Sequence, residues 1–129
     1  MTALEEKRPG LRVVVPEATV QFFERRILGI GKPRYSNKLP LGNLSRSGLC
    51  FFSNRPLRPG RRLNMQLSYS AADTALTLQG RVIYFYPLLR NQTSYCFRIG
   101  IQFMPFTGKR GCNTPDTLGV IIQLEKKYG

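Results

Sequence analysis

The sequence predicts an all-β fold, a small antiparallel barrel or sandwich, followed by one C-terminal α-helix. Three observations lead there. Apolar residues alternate with polar ones over several short segments, the signature of strands with one buried face. Turn-forming clusters separate those segments: Arg55-Pro-Leu-Arg-Pro-Gly60, Ser70-Ala-Ala-Asp73 and Arg90-Asn-Gln-Thr93. The last sixteen or so residues change to a helical period behind a capping signal.

In chain order, Val13–Val15 and Thr19–Phe23 are the first two strand candidates, and Gly48–Phe52 is the third. Leu63, Met65, Leu67 and Tyr69 alternate with Asn64, Gln66 and Ser68, which marks a fourth. A longer fifth strand runs from about Ala75 to Tyr86, with Leu76 and Leu78 alternating against Thr77 and Gln79; Gly80 within it marks a bulge or bend. In the sixth, Tyr95, Phe97, Ile99, Ile101 and Phe103 alternate with Cys96, Arg98, Gly100 and Gln102. Thr114 then fits an N-cap, Pro115 the first helical position, and Asp116 the positive end of the helix dipole. Val120, Ile121, Leu124 and Tyr128 recur at helical spacing, with Lys126 and Lys127 in the last turn. The segment Arg25–Leu41, with Arg25, Arg26, Lys32, Arg34 and Lys38, reads as a basic, solvated loop. No internal repeat and no second domain is evident.

A chain of 129 residues suffices for one domain with its own core. Its charge is lopsided: 20 Lys and Arg against 7 Asp and Glu, a net charge of +13, and 14 of the 20 cations are arginines. Arginine carries a planar fork of donors that suits phosphates and guanine edges, so an anionic partner is favoured over a purely solubilising role. The three cysteines, Cys50, Cys96 and Cys112, form no CxxC, and there is no histidine, which argues against a zinc site. Free thiols fit a reducing cytoplasm, and the N-terminus lacks the regions of a signal peptide. No apolar run approaches the ~20 residues of a membrane span.

Enzyme classes fall away on the same inventory. There is no histidine for general base work, and the acids Glu5, Glu6, Glu17, Glu24, Asp73, Asp116 and Glu125 are scattered. Neither a Walker loop nor GxGxxG occurs. The expectation is a binding protein without catalytic residues, metal or cofactor.

Two short patterns offer ligand chemistry. Arg8-Pro-Gly-Leu-Arg12 is an RxxxR. Extended backbone would hold the two Cα atoms about 13 Å apart, whereas Pro9-Gly10 suits the centre of a type II turn that brings both guanidinium forks together. Taken alone, it reads sooner as a solvated basic turn, and a second match, Arg58-Pro-Gly-Arg-Arg62, shows how readily the pattern arises. Asn43-Leu-Ser-Arg-Ser-Gly48 is an (D/N)xSxxG. In an extended segment Asn43 and Ser45 share a side and can pair with the donor and acceptor edge of a base. Gly48 permits positive φ or a close approach to the backbone. By itself this is also an Asx turn leading into the next strand.

The two patterns in this order, with Asn43 31 positions after Arg12, resemble the ligand-binding motifs of the PilZ family. Arg58–Arg62 follows the second motif and does not fit that order. The resemblance continues through Gly48-Leu-Cys-Phe-Phe-Ser53, the turn Leu57-Arg-Pro-Gly60, Gln79-Gly-Arg-Val82 and Arg98-Ile-Gly-Ile-Gln-Phe103, and so covers about residues 7–106. It implies a six-stranded antiparallel β-barrel that binds cyclic di-GMP. It divides the chain into an N-terminal arm, residues 1–12, the barrel, 13–106, and the C-terminal helix segment, 107–129.

By the same resemblance, Arg8 and Arg12 clamp the ligand, Asn43 and Ser45 contact a guanine, and Gly48 shapes the backbone. Lys7, just before the RxxxR, bears on whether one ligand or a stacked pair binds, and its charge favours two. Asn43 stands where the family more often has Asp, which removes a charge-assisted bond to the guanine N–H groups. The implied role is a cytoplasmic second-messenger receptor whose arm and barrel change conformation on binding and signal to an unidentified protein partner. A degenerate adaptor of the same fold, or a basic barrel for single-stranded nucleic acid, are the alternatives. The first is opposed by the intact motif residues, the second by the lack of an RNA-binding signature, so no specific nucleic acid is expected.

Overall fold

The computed structural model describes residues 12–25, 34–69, 75–89 and 94–129. These form a closed barrel of six antiparallel strands: β1 (Thr19–Glu24), β2 (Leu39–Leu44), β3 (Gly48–Ser53), β4 (Arg62–Ser68), β5 (Leu76–Pro87) and β6 (Phe97–Phe103). The order around the barrel is β1-β2-β3-β6-β5-β4, and β4 closes onto β1 in register from Thr19↔Ser68 to Glu24↔Leu63. Closure leaves no strand at the end of an open sheet. It also carries the alternation into the interior: Val20 and Phe22, Leu63, Met65 and Leu67, and Ile99, Ile101 and Phe103 all face one shared core. Each such side chain withdrawn from water contributes roughly 1.5–3 kcal/mol.

A helix follows. Helix α1 (Pro115–Tyr128) begins where the sequence predicts, with Thr114 as N-cap accepting from the Thr117 N–H at 3.3 Å. Ile121 and Leu124 join the barrel core, so this face of the helix is held by the same apolar contacts as the strands. The loop ahead of it is pinned by Asn113. Its buried carboxamide donates to the Gln79 and Met104 carbonyls, both at 2.9 Å, and accepts from the Gln79 N–H at 2.7 Å.

Three sequence-based expectations shift. Val13–Val15 is not a strand: Val13 forms a single bridge to Leu44, exchanging both backbone hydrogen bonds with it at 2.8 and 2.9 Å. The sixth strand is instead β2, part of which the sequence reads as loop. Its Pro40 and Gly42 are poor strand formers, and it is a strand because β1 and β3 flank it. Pairing with β1 is limited to Thr19↔Pro40 and Val20↔Leu39, and the register with β3 shifts between Leu41 and Asn43. The bulge in β5 lies between Val82 and Tyr84 rather than at Gly80, which is buried opposite Leu63 and Phe103. The proposed turn at Pro9-Gly10 lies outside the described residues.

Candidate ligand-binding site

The strand registers lay out the outer surface of the barrel as rows. One row runs Asn43–Cys50–Gly100–Tyr84 across β2, β3, β6 and β5; a second runs Gly48–Gln102–Arg81–Arg62 across β3, β6, β5 and β4; a third runs Phe52–Arg98–Tyr86. The first two rows contain Gly48 and Gly100 where other residues would raise side chains. At Gly48 a Cβ would stand 2.0 Å from the Ile101 carbonyl oxygen, so glycine is required by the close approach of β6. Its φ is not positive. At Gly100 a Cβ would meet the Tyr84 ring at 2.0–2.5 Å, because that ring lies against the glycine. The result is a shallow trough of about 220 Å³ lined by Arg12, Ser47, Gly48, Ile83, Tyr84, Gly100 and Gln102, among others.

Arg12 stands beside Asn43. Its Nη1 donates to Asn43 Oδ1 at 3.2 Å, joining the end of the RxxxR to the start of the (D/N)xSxxG. Arg12 is exposed and free to turn its fork toward a ligand; Asn43 is half-buried. Arg8 and Lys7 lie outside the described residues. Ser45 does not stand beside Asn43 as a second exposed polar group. Strand β2 ends at Leu44, and Ser45 is buried in the turn to β3. There its hydroxyl lies 3.0 Å from the Ser47 hydroxyl and accepts from the Ser47 N–H at 3.3 Å, while the Ser45 N–H donates to the Gly48 carbonyl at 2.8 Å. The motif serine thus builds the turn that sets Asn43 and Gly48 relative to each other.

Several residues of the site carry no signal in the two motifs. Tyr84 and Tyr86 stack with ring centroids 4.8 Å apart and planes 7° from parallel. Burial pushes the Tyr84 phenol above its ordinary value, against the opposing effect of a hydrogen bond with Arg98. It therefore remains a neutral donor and acceptor at the edge of the trough. Only the strand register brings Tyr84 over Gly100; its sequence neighbours give no hint of it. The second row ends in arginines, Arg81 and Arg62, and the Arg62 Nη2 donates to the Gly111 carbonyl at 2.6 Å with the Arg25 guanidinium close by. Arg12 lines the trough itself, and the second row carries further positive charge along the barrel surface, a setting that draws anions. Among the described residues no group of His, Cys, Asp or Glu can hold a metal ion. No helix there is long and apolar enough to cross a membrane.

Comparison with solved structures finds the same fold in the PilZ domain of YcgR from Escherichia coli, whose structure is described as containing c-di-GMP. The TM-score is 0.63 at 14% sequence identity, covering 95% of this chain and 91% of that one. Comparison with curated proteins returns no sequence match. The family model described as PilZ domain matches residues 29–110, a stretch that contains Asn43, Ser45 and Gly48 and most of the barrel. With nearly two thirds of its length matched, and with a closed six-stranded barrel followed by one helix, the chain belongs to the PilZ domain family.

Proposed function

We propose that this protein is a receptor for cyclic di-GMP, which it binds without chemically altering it. The observation that carries the reading is the contact between Arg12 and Asn43 at the rim of the trough. Two motifs 31 residues apart meet at one place, beside a trough lined by Gly48 and Gly100. Membership of the PilZ family and the c-di-GMP in the YcgR domain support the choice of ligand. In this reading Arg12 and Arg8 grip guanine and phosphate, with a good bidentate pair contributing about 1–3 kcal/mol. Asn43 presents its carboxamide to a base, Ser45 holds the turn, and Gly48 shapes the backbone by letting β6 approach closely. Lys7 adds charge where a second, stacked ligand would lie. The segment 1–12 acts as an arm brought onto the barrel by the ligand, and the joined surface is what a protein partner senses.

Calorimetric titration tests this directly, with cyclic di-GMP, GTP and a short single-stranded oligonucleotide compared at moderate salt. Saturable binding of cyclic di-GMP alone is the expected result. Tighter binding of the oligonucleotide would replace the reading with that of a nucleic-acid-binding barrel.

A further inference from the structure

The (D/N)xSxxG turn is tied to the far end of the chain. Arg46 lies in the middle of that turn, between Ser45 and Gly48, and turns toward α1. Its backbone N–H donates to Glu125 Oε1 at 3.0 Å, its Nη2 to Oε2 at 2.8 Å, and its Nε approaches Oε1 at 3.4 Å. Glu125 is only 5% exposed, and no other charged side chain is buried among the described residues. Hydrogen bonding to this carboxylate raises the Arg46 pKa.

A buried carboxylate is tolerated only where donors replace its water. Among the described residues, Arg46 alone donates to it. Helix α1 in turn cannot shift without moving Ile121 and Leu124, which sit in the barrel core four residues and one residue before Glu125. The turn conformation and the docked position of α1 are therefore two halves of one arrangement. That arrangement also directs the Arg46 guanidinium toward the helix, while Asn43 and Gly48 on either side of it serve the trough.

We propose that Glu125 is a positioning residue for the ligand site, and that through the Arg46–Glu125 clamp ligand occupancy and docking of the C-terminal helix stabilise each other. The proposal rests on the cyclic di-GMP reading above and adds to it the element that reports binding. Coupling of this kind is reciprocal: if the docked helix favours the turn that binds, the bound turn favours the docked helix by the same factor.

The test uses the full chain and four proteins: wild type, Arg46→Met, Glu125→Gln and the double variant. Glu125→Gln preserves shape and an acceptor for the Arg46 N–H while removing the charge. Arg46→Met acts from the more exposed partner, and decides the matter alone should Glu125→Gln fail to fold. Each single variant is expected to bind cyclic di-GMP about five- to tenfold more weakly, within the usual range of coupling factors. The double variant is expected to bind no more weakly than the worse single one, because both changes break the same link. Amide hydrogen exchange over residues 115–128 supplies a readout that a purely structural salt bridge would leave unmoved. Saturating cyclic di-GMP should slow exchange there in wild type and lose that effect in the variants. Affinities within twofold of wild type, additive losses in the double variant, or helix exchange indifferent to ligand would each overturn the clamp while leaving the receptor reading intact. Absence of cyclic di-GMP binding by the wild-type chain would remove both.

Discussion

Replacing Gly48 by alanine places one methyl group 2.0 Å from the Ile101 carbonyl oxygen, 3.1 Å from the carbonyl carbon and 3.4 Å from Gln102 Cα. Ordinary carbon–oxygen contact is about 3.3 Å, so β3 and β6 must part by roughly 1 Å at a point where both are paired along their length. The obstacle is backbone, which no rotamer change relieves. Overpacking of this kind costs about 1–3 kcal/mol, and for a domain of this size that lowers the melting temperature by about 4 °C per kcal/mol, or about 4–12 °C in all. Gly119→Ala is the matched comparison. Gly119 lies in α1 and a Cβ there meets nothing within 4 Å. The same substitution should therefore stabilise by about 0.5–1 kcal/mol through the helix preference of alanine. Thermal unfolding followed by far-ultraviolet circular dichroism reads both. If Gly48→Ala melted within about 2 °C of wild type, the range expected of an uneventful surface change, the close approach of β6 would not be what demands glycine at this position.

Arg12→Ala should weaken cyclic di-GMP binding by at least about tenfold in calorimetry, the loss of one bidentate pair. It should leave the melting temperature of the free protein nearly unchanged, since Arg12 is exposed and makes one side-chain hydrogen bond. Arg58→Ala, from the RxxxR on the wrong side of the second motif, should alter neither quantity, and an effect equal to that of Arg12 would undo the motif assignment. Asn113→Ala takes the Asn113 carboxamide from the Gln79 N–H and the Met104 carbonyl, and should destabilise by about 1–3 kcal/mol in urea unfolding. Tyr84 gives a pH dependence. Its phenol is raised above an unfolded value of 10.0 chiefly by burial, so its contribution to stability is complete below that pH and is lost as pH rises through the higher folded value. Melting temperatures between pH 8 and 11 should accordingly fall less steeply for Tyr84→Phe than for wild type, and identical slopes would contradict the burial.

Much of this protein is legible in local pattern because strands and helices announce themselves by period. Leu63–Leu67 and Ile99–Phe103 alternate so regularly that their faces and their approximate ends follow from the residues alone, and Thr114-Pro115-Asp116 places the helix start. The order of Arg8–Arg12 and Asn43–Gly48 pointed to the family and to part of the site. Strand β2 escaped because its pairing overrides its composition: Leu39-Pro-Leu-Gly-Asn-Leu44 has little strand preference of its own, and is extended because the barrel must close between β1 and β3. Ser45 departs from an exposed place beside Asn43 for a related reason. Side-by-side exposure with Asn43 holds only if the strand continues, and the chain turns one residue earlier.

What the sequence by itself determined is therefore the class of fold, the single core, the helix with its cap, the basic character and the two motifs, all of which depend on neighbours a few positions apart. The tertiary structure alone decided which distant residues meet. Register across β3, β6 and β5 put Tyr84 on Gly100 and lined Arg81 up with Gln102 and Gly48, and helix docking brought Glu125 to Arg46 across 79 positions. Those pairings follow from barrel closure and from which apolar faces pack together, properties of the whole chain that no short window of residues contains.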